Sequence, residues 1–269
     1  MPYCIQCGVE LTEDARFCPN CGTRVIEKIE PVKTHNVLKV AGKPEVIVTN
    51  TAPGSIEIRK KSKGEVVVDL DLRAPDDLDC DVSQEGNKVT VTCRAKVGLW
   101  KWPSHLLGIG PRANILVSVP EEADLDLENS AGRIKVTGVK GMVTAESSAG
   151  AVVILDCEGT VKARTRAGSM DLENVNGTVR ARSSAGSIRF SGVLSKGESW
   201  FRTNLGSINL KLEGEPDLTV QASTDLGSIK CIPELADAHY ERNRYVGRIR
   251  DGKGKLFAET NTGSITIKQ

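Results

Sequence analysis

Aromatic side chains are scarce in this sequence, with three Trp, three Tyr and four Phe among 269 residues. A core made without rings must be built from Val, Ile, Leu and Ala. An excess of one charge sign is also missing: 36 Lys and Arg stand against 35 Asp and Glu, for a net charge of +1. No global field therefore draws the chain to nucleic acid or to a membrane. No apolar run approaches the roughly 18 residues of a membrane-spanning helix. The opening MPYCIQCG has no charged-then-apolar signal region. The expectation is a soluble, cytoplasmic protein whose only route to a membrane is peripheral association. Catalytic signatures are lacking as well. His35, His105 and His239 lie far apart, and no GxSxG, phosphate-binding glycine loop or HExxH is present. The expectation is a protein that is not an enzyme and takes no small-molecule substrate.

What is present begins with cysteine. Four of the eight cysteines, Cys4, Cys7, Cys18 and Cys21, form C-x2-C-x10-C-x2-C, each pair followed by Gly. Zinc takes four thiolates in a tetrahedron, and two CxxCG turns supply the full set. So short a segment cannot bury a core, so the metal would supply its folding energy. The competing chemistry, a redox dithiol or two disulfides, fits a single CxxC better than two at this spacing. Four protein ligands leave no open position, so the Zn2+ would be structural. Residues 3–25 resemble the short zinc ribbons at the N-terminus of many bacterial and archaeal proteins. That resemblance implies either contacts with protein or nucleic acid or a simple capping knot. The domain reading is a zinc ribbon over 1–26, a polar linker over 27–36 (EKIEPVKTHN) and a repeat domain over 37–269.

The repeat is carried by a motif such as SSAGSIRF (183–190). Its glycines are Gly132, Gly150, Gly168, Gly186, Gly206, Gly227 and Gly263, and the first three steps are 18 residues each. Apolar or small residues alternate at seven, five, three and one positions before each Gly, then at two and four after it. Alternation by two marks a half-buried strand. The change of phase marks a corner at the glycine, where a missing Cβ permits the turn. A second glycine follows at Gly141, Gly159, Gly177 and Gly197. Coils of this length stack as a solenoid. Inward Ala, Ser and Thr imply a narrow interior, and the Ser/Thr three before each Gly are placed to form a hydroxyl ladder. IVTNTAPGSIEI (47–58) fits as an earlier copy. The strands EVVVDLDL, 78–83, 88–94 and ANILVSV read as a sheet that opens the stack. The fold class is thus all-β, a β-solenoid or β-helix-like stack preceded by a β-sheet region, plus the small N-terminal ribbon. Cys157 and Cys231 occupy Val and Ile/Leu slots and read as core residues. Cys80 and Cys93 flank the turn SQEGNK as cross-strand neighbours, where a disulfide is possible but disfavoured in a reducing compartment.

Residues 38–269 resemble the “putative adhesin”, or toast-rack-like, β-strand-repeat family of bacteria and archaea. The resemblance rests on ILVSVPEEADLDLENSAGRIKV and the successive GSI coils. It implies envelope stress sensing or surface attachment. The favoured expectation is a non-enzymatic binding or scaffold protein, with an envelope-associated sensor or adhesin-like protein as the alternative. A third reading, a carbohydrate-active enzyme, rests on Asp171 and Glu173, which a salt bridge to Arg189 explains more simply.

Two surface features are candidate binding sites. Outward positions Lys162 and Arg164, Arg180 and Arg182, then Trp200 and Arg202 would line one face with five cations. That stripe suits an anionic polymer, a membrane surface or an acidic protein. Set against this is a solvated face balanced by Glu146. The loop VGLWKWPSHLLGIGP, with Trp100 and Trp102, would cover an open edge or meet a partner or bilayer. Unpaired solenoid edges also predict self-association, the C-terminal strand being the expected open end, with 232–254 as its cover.

Overall fold

The computed structural model describes residues 3–4, 6–12, 15, 17–22, 31–61, 64–96, 110–232, 235–241 and 243–269. The segment holding Trp100, Trp102 and His105 lies outside them. The chain divides into two units, Met1–Pro31 and Val32–Gln269. Residues 32–36, read from the sequence as linker, instead form the first half of a strand.

The larger unit is built of strands. Seven precede the regular coils: β1 (Val32–Lys39), β2 (Glu45–Pro53), β3 (Ile56–Lys60), β4 (Glu65–Arg73), β5 (Leu78–Glu85), β6 (Lys88–Ala95) and β7 (Arg112–Val119). Each coil then pairs a longer strand with a shorter one. These are β8 (Asp124–Ala131) with β9 (Ile134–Thr137), β10 (Lys140–Ala149) with β11 (Val152–Leu155), and β12 (Glu158–Ala167) with β13 (Met170–Glu173). Next come β14 (Asn176–Ala185) with β15 (Ile188–Gly192), β16 (Glu198–Leu205) with β17 (Ile208–Leu212), and β18 (Leu218–Leu226) with β19 (Ile229–Cys231). A hairpin, β20 (Ala236–Glu241) and β21 (Arg244–Ile249), leads to the last coil, β22 (Gly254–Thr262) and β23 (Ile265–Lys268). The longer strand of each coil lies in a 12-stranded sheet with β2, β5, β6, β20 and β21, and the shorter one in an 11-stranded sheet with β1, β3, β4 and β7. A single apolar cluster lies between their inner faces.

Alternation explains which residues meet there. Val161, Ala163 and Thr165 of β12 are buried, as are Met170 and Leu172 of β13. The next coil repeats this with Val179, Ala181 and Ser183, then Ile188 and Phe190. Because the register is parallel and unshifted, like sits on like: Val161 on Val179, Ala163 on Ala181. The residue directly before each corner glycine, expected inward, points out instead: Ala149, Ala167 and Ala185 are exposed. The ladder passes from Ser147 to Ala149 and leaves Ser148 unpaired, so the bend begins two residues ahead of the glycine.

The corners themselves are a glycine column. Gly168 has φ of +154°, and a Cβ on it would stand 2.1 Å from the carbonyl oxygen of Gly150 in the coil below. The same collision, at 2.0 Å with Gly168, faces Gly186. The hydroxyl ladder foreseen at the third position before the glycine does not run from hydroxyl to hydroxyl. Each hydroxyl donates to the corner carbonyl of the neighbouring coil: Thr165 to Gly150 at 3.1 Å, Ser183 to Gly168 at 3.1 Å and Thr203 to Gly186 at 2.9 Å. The second glycine column holds for Gly141, Gly159 and Gly177 but not for Gly197. There the chain bulges, Leu194 pairs with Gly177 and is buried, and Val193 turns outward.

The order of coils departs from the order of sequence. β22 lies between β16 and β18, and β23 between β17 and β19. Thr260 accordingly donates to Gly206 and Thr224 to Gly263. The C-terminal strand expected at the open end is therefore internal. The edges are β1 and β19 in one sheet and β5 and β20 in the other. Residues 236–249 do cover a strand edge, that of β18, which β21 pairs antiparallel. The first copy, β2–β3, is likewise interior, flanked by β6 and β8 in one sheet and by β7 and β9 in the other. Cys80 and Cys93 face each other across β5 and β6 with Cα atoms 4.2 Å apart and are joined as a disulfide, the disfavoured of the two alternatives the sequence left open.

Two substitutions test the corner. Gly168→Ala forces a Cβ onto a backbone oxygen and is expected to cost more than about 3 kcal/mol, against about 1 kcal/mol for Gly86→Ala, whose site is open. Thr203→Val keeps the shape but strands the Gly186 carbonyl, for a loss of about 1–3 kcal/mol. Denaturant unfolding monitored by far-UV circular dichroism measures both; equal losses for the two alanine variants contradict the stacking account.

Candidate functional site

The smaller unit is organised by its cysteines. Gly8 and Gly22 adopt left-handed φ values of 70° and 69°. Their N–H groups return to Cys4 O at 2.8 Å and Cys18 O at 2.9 Å, closing two matching turns. The four sulfurs lie within 4.8 Å of one another. Cys4 Sγ is 3.6 Å from Cys21 Sγ, and Cys7 Sγ is 3.5 Å from Cys18 Sγ. A tetrahedral zinc bound at about 2.3 Å spaces its sulfurs by about 3.8 Å, so the four thiols fit such an ion. Cys4 and Cys18 are buried against Leu11, while Cys7 and Cys21 are exposed. The four cysteines predicted as ligands are thus brought together.

On the larger unit the stacked register turns sequence spacing into columns. Across the outer face of the 12-stranded sheet, one column runs Glu128, Glu146, Arg164, Arg182, Arg202, Glu259. Beside it run Asp126, Thr144, Lys162, Arg180, Trp200, Phe257. Adjacent members are about 4.8 Å apart along the stack. The five cations foreseen are therefore brought together, and all five are exposed. Arg202 pairs with Glu259 at 3.6 Å. Arg180 helps Lys255 hold the Glu198 carboxyl below its ordinary range, the Lys255 hydrogen bond being the larger cause. Among the described residues, Lys162, Arg164 and Arg182 make no ion pair. Trp200 stacks on Phe257, ring centroids 3.9 Å apart and planes 13° from parallel, and both are half-buried.

Two features of this face escaped reading coil by coil. Arg166, exposed at the bend of β12, adds a sixth cation to Lys162, Arg164, Arg180, Arg182 and Arg202. Asp126, Glu128 and Glu146 form an acidic block directly beside the basic one. Aligning the coils on their glycines and reading down the columns would have found both.

The other residues singled out from the sequence have local partners or lie in the core. Asp171 accepts from Arg189 Nε at the surface. His35 pairs with Asp69 and His239 with Glu241, all four exposed. Cys157 is buried, and desolvation raises its thiol pKa, as it raises that of Cys231 to about 11.

Comparison with known proteins finds two family matches on the chain. Residues 3–25 match the zinc-ribbon domain family, and residues 144–268 match the Toastrack DUF4097 family. None of the curated proteins matches. Among solved structures, the chain is similar to a “putative adhesin” from Bacteroides fragilis NCTC 9343 at 13% identity, covering 88% of this chain and 97% of that one, with a TM-score of 0.44. A “putative cell adhesion protein” from Clostridium sporogenes ATCC 15579 is 11% identical, with coverage of 89% and 99% and a TM-score of 0.37. A “putative lipid binding protein” from Parabacteroides distasonis ATCC 8503 is 9% identical, with coverage of 88% and 97% and a TM-score of 0.27.

Metal analysis of the purified chain is expected to give one zinc per four-cysteine cluster. Cys18→Ser is expected to lose that zinc and the order of residues 3–22 while leaving the melting of the stack unchanged, as read by NMR and calorimetry. A chain that keeps full zinc after this substitution contradicts the assignment.

Proposed function

We propose that this protein, which carries an N-terminal zinc ribbon and a toastrack domain, is a non-enzymatic binding protein whose working surface is the charged outer face of its long-strand sheet. The carrying observation is the column Arg164, Arg182, Arg202, flanked by Lys162 and Arg180. Like charges directly opposite one another across strands repel. Three arginines stacked about 4.8 Å apart lower the stability of the isolated chain; Arg202 pairs with Glu259, Arg164 has Glu146 only as an unbonded cross-strand neighbour, and Arg182 lies between two arginines. An arrangement that costs stability and is rigidly presented suits a partner that brings the missing negative charge. Buried strands behind each cation fix its position, so little backbone order is lost on binding. The ribbon contributes a metal-held knot with no open coordination position, a structural and docking role rather than a catalytic one.

Dextran sulfate is a suitable probe, since it offers anionic groups without sequence or fold. The chain is expected to bind it in low salt, with affinity falling steeply as salt rises. Arg164→Ala, Arg182→Ala and Arg202→Ala together are expected to weaken binding roughly tenfold, at the few tenths to 1 kcal/mol that exposed charge pairs contribute each. Binding measured by fluorescence polarisation that is indifferent to the triple substitution removes the proposal.

A further inference from the structure

The acidic and basic blocks share one face, one register and one boundary. Glu128 and Glu146 stand on one side of the line between β10 and β12, and Arg164 and Arg182 on the other. In the adjoining column Asp126 mirrors Arg180 about the same line, with Thr144 and Lys162 between them. A two-fold axis laid along that line, parallel to the strands and above the sheet, keeps each column opposite itself but reverses the order of coils. It places Glu146 against Arg164 of the second copy, Glu128 against Arg182 and Asp126 against Arg180, each pair made twice. Further out it sets half-buried Ile47 against half-buried Trp200 and Thr49 against Arg202.

We infer that two copies of this chain associate face to face through the outer surface of the 12-stranded sheet, the acidic block of each on the basic block of the other. The inference rests on the proposed role of this face and names its partner. It accounts for both halves of the surface, where an anionic polymer accounts for only one. Each block repels itself within a single copy, Glu128 beside Glu146 as much as Arg164 beside Arg182. Only an opposed surface of reversed order relieves both repulsions at once. Like charges that meet, Glu45 with Glu198 and Lys88 with Lys255, are each neutralised inside their own copy, since Lys88 pairs with Glu45 and Lys255 with Glu198. The matched field spans six strands and four outward columns, about 29 Å by 20 Å. That lies near the lower limit of a specific protein interface, with Trp200 and Ile47 as its apolar contacts. Such an interface is a salt-sensitive one.

Sedimentation equilibrium in low salt is expected to give twice the 28.9 kDa chain mass, returning to one chain mass as salt is raised. The decisive arm is a charge exchange. E128R/E146R sets arginine against arginine, R164E/R182E sets glutamate against glutamate, and each variant alone is expected to be monomeric. Mixed in equal amounts, every altered position meets its opposite and a heterodimer is expected to form. Circular dichroism of each variant verifies its fold, and the mixture reports complementarity independently of either variant's stability. A wild-type chain that stays monomeric in low salt, or a mixture that does not pair, overturns the inference. A monomer that nonetheless binds dextran sulfate through Arg164, Arg182 and Arg202 overturns it while leaving the charged-face reading standing; a monomer indifferent to the polyanion removes both.

Discussion

Every coil of the larger unit is seated by one contact: a corner carbonyl that fills the volume where the next glycine's Cβ would be. Gly150 O occupies that space under Gly168, and Gly168 O under Gly186. The same oxygen would be a partly buried, unpaired acceptor if the side chain three residues before the next corner did not donate to it. Glycine and hydroxyl are therefore two halves of one joint. With the joint closed, coils approach to full strand-pairing distance, and the inner residues stack into columns of Val, Ala and Ile. The thin interior and the shortage of rings follow from that spacing. Phe201 stands where the coils on either side have Ala181 and Ala258, and it is accommodated beside Phe190 at 5.1 Å between centroids.

The same joint organises the surface. Because no coil slips relative to the next, outward positions stack as strictly as inward ones. A charge that recurs at one place in the repeat becomes a line of charge. In an antiparallel sheet with shifting registers, Arg164, Arg182 and Arg202 would scatter. Here they are held in file, and the acidic residues of the preceding coils are held in the same file. Recognition by such a face depends on order along the stack as well as on net charge, which across the whole chain is close to zero.

Much of this was legible in the sequence for physical reasons. Strand alternation and glycine corners have fixed periods, and four thiols at CxxCG spacing have few chemical uses. Cys4, Cys7, Cys18 and Cys21, the all-β stack and the basic file could all be read from residues alone. Coil order could not. A repeat states what each unit is like but not which unit it pairs with, and only the long separation before Gly263 hinted at a rearrangement. The acidic block was hidden because Asp126 and Glu128 look unremarkable within their own strand and gain meaning only beside Arg180 and Arg182. The pairing of Cys80 with Cys93 was seen as adjacency, but a bond between them was disfavoured because compartment was weighed above proximity.

The interior placement of residues 254–268 carries a consequence for assembly in time. β18 and β19 come earlier in the chain, yet their seats are formed by β22 and β23. The stack cannot grow coil by coil in the order of synthesis. β22 and β23 pair with β16 and β17 on one side and with β18 and β19 on the other, so the native pairing of β18 and β19 is complete only when those later strands are in place. That end of the stack is thus completed by strands made after the coil they hold, much as a keystone secures stones that were laid before it.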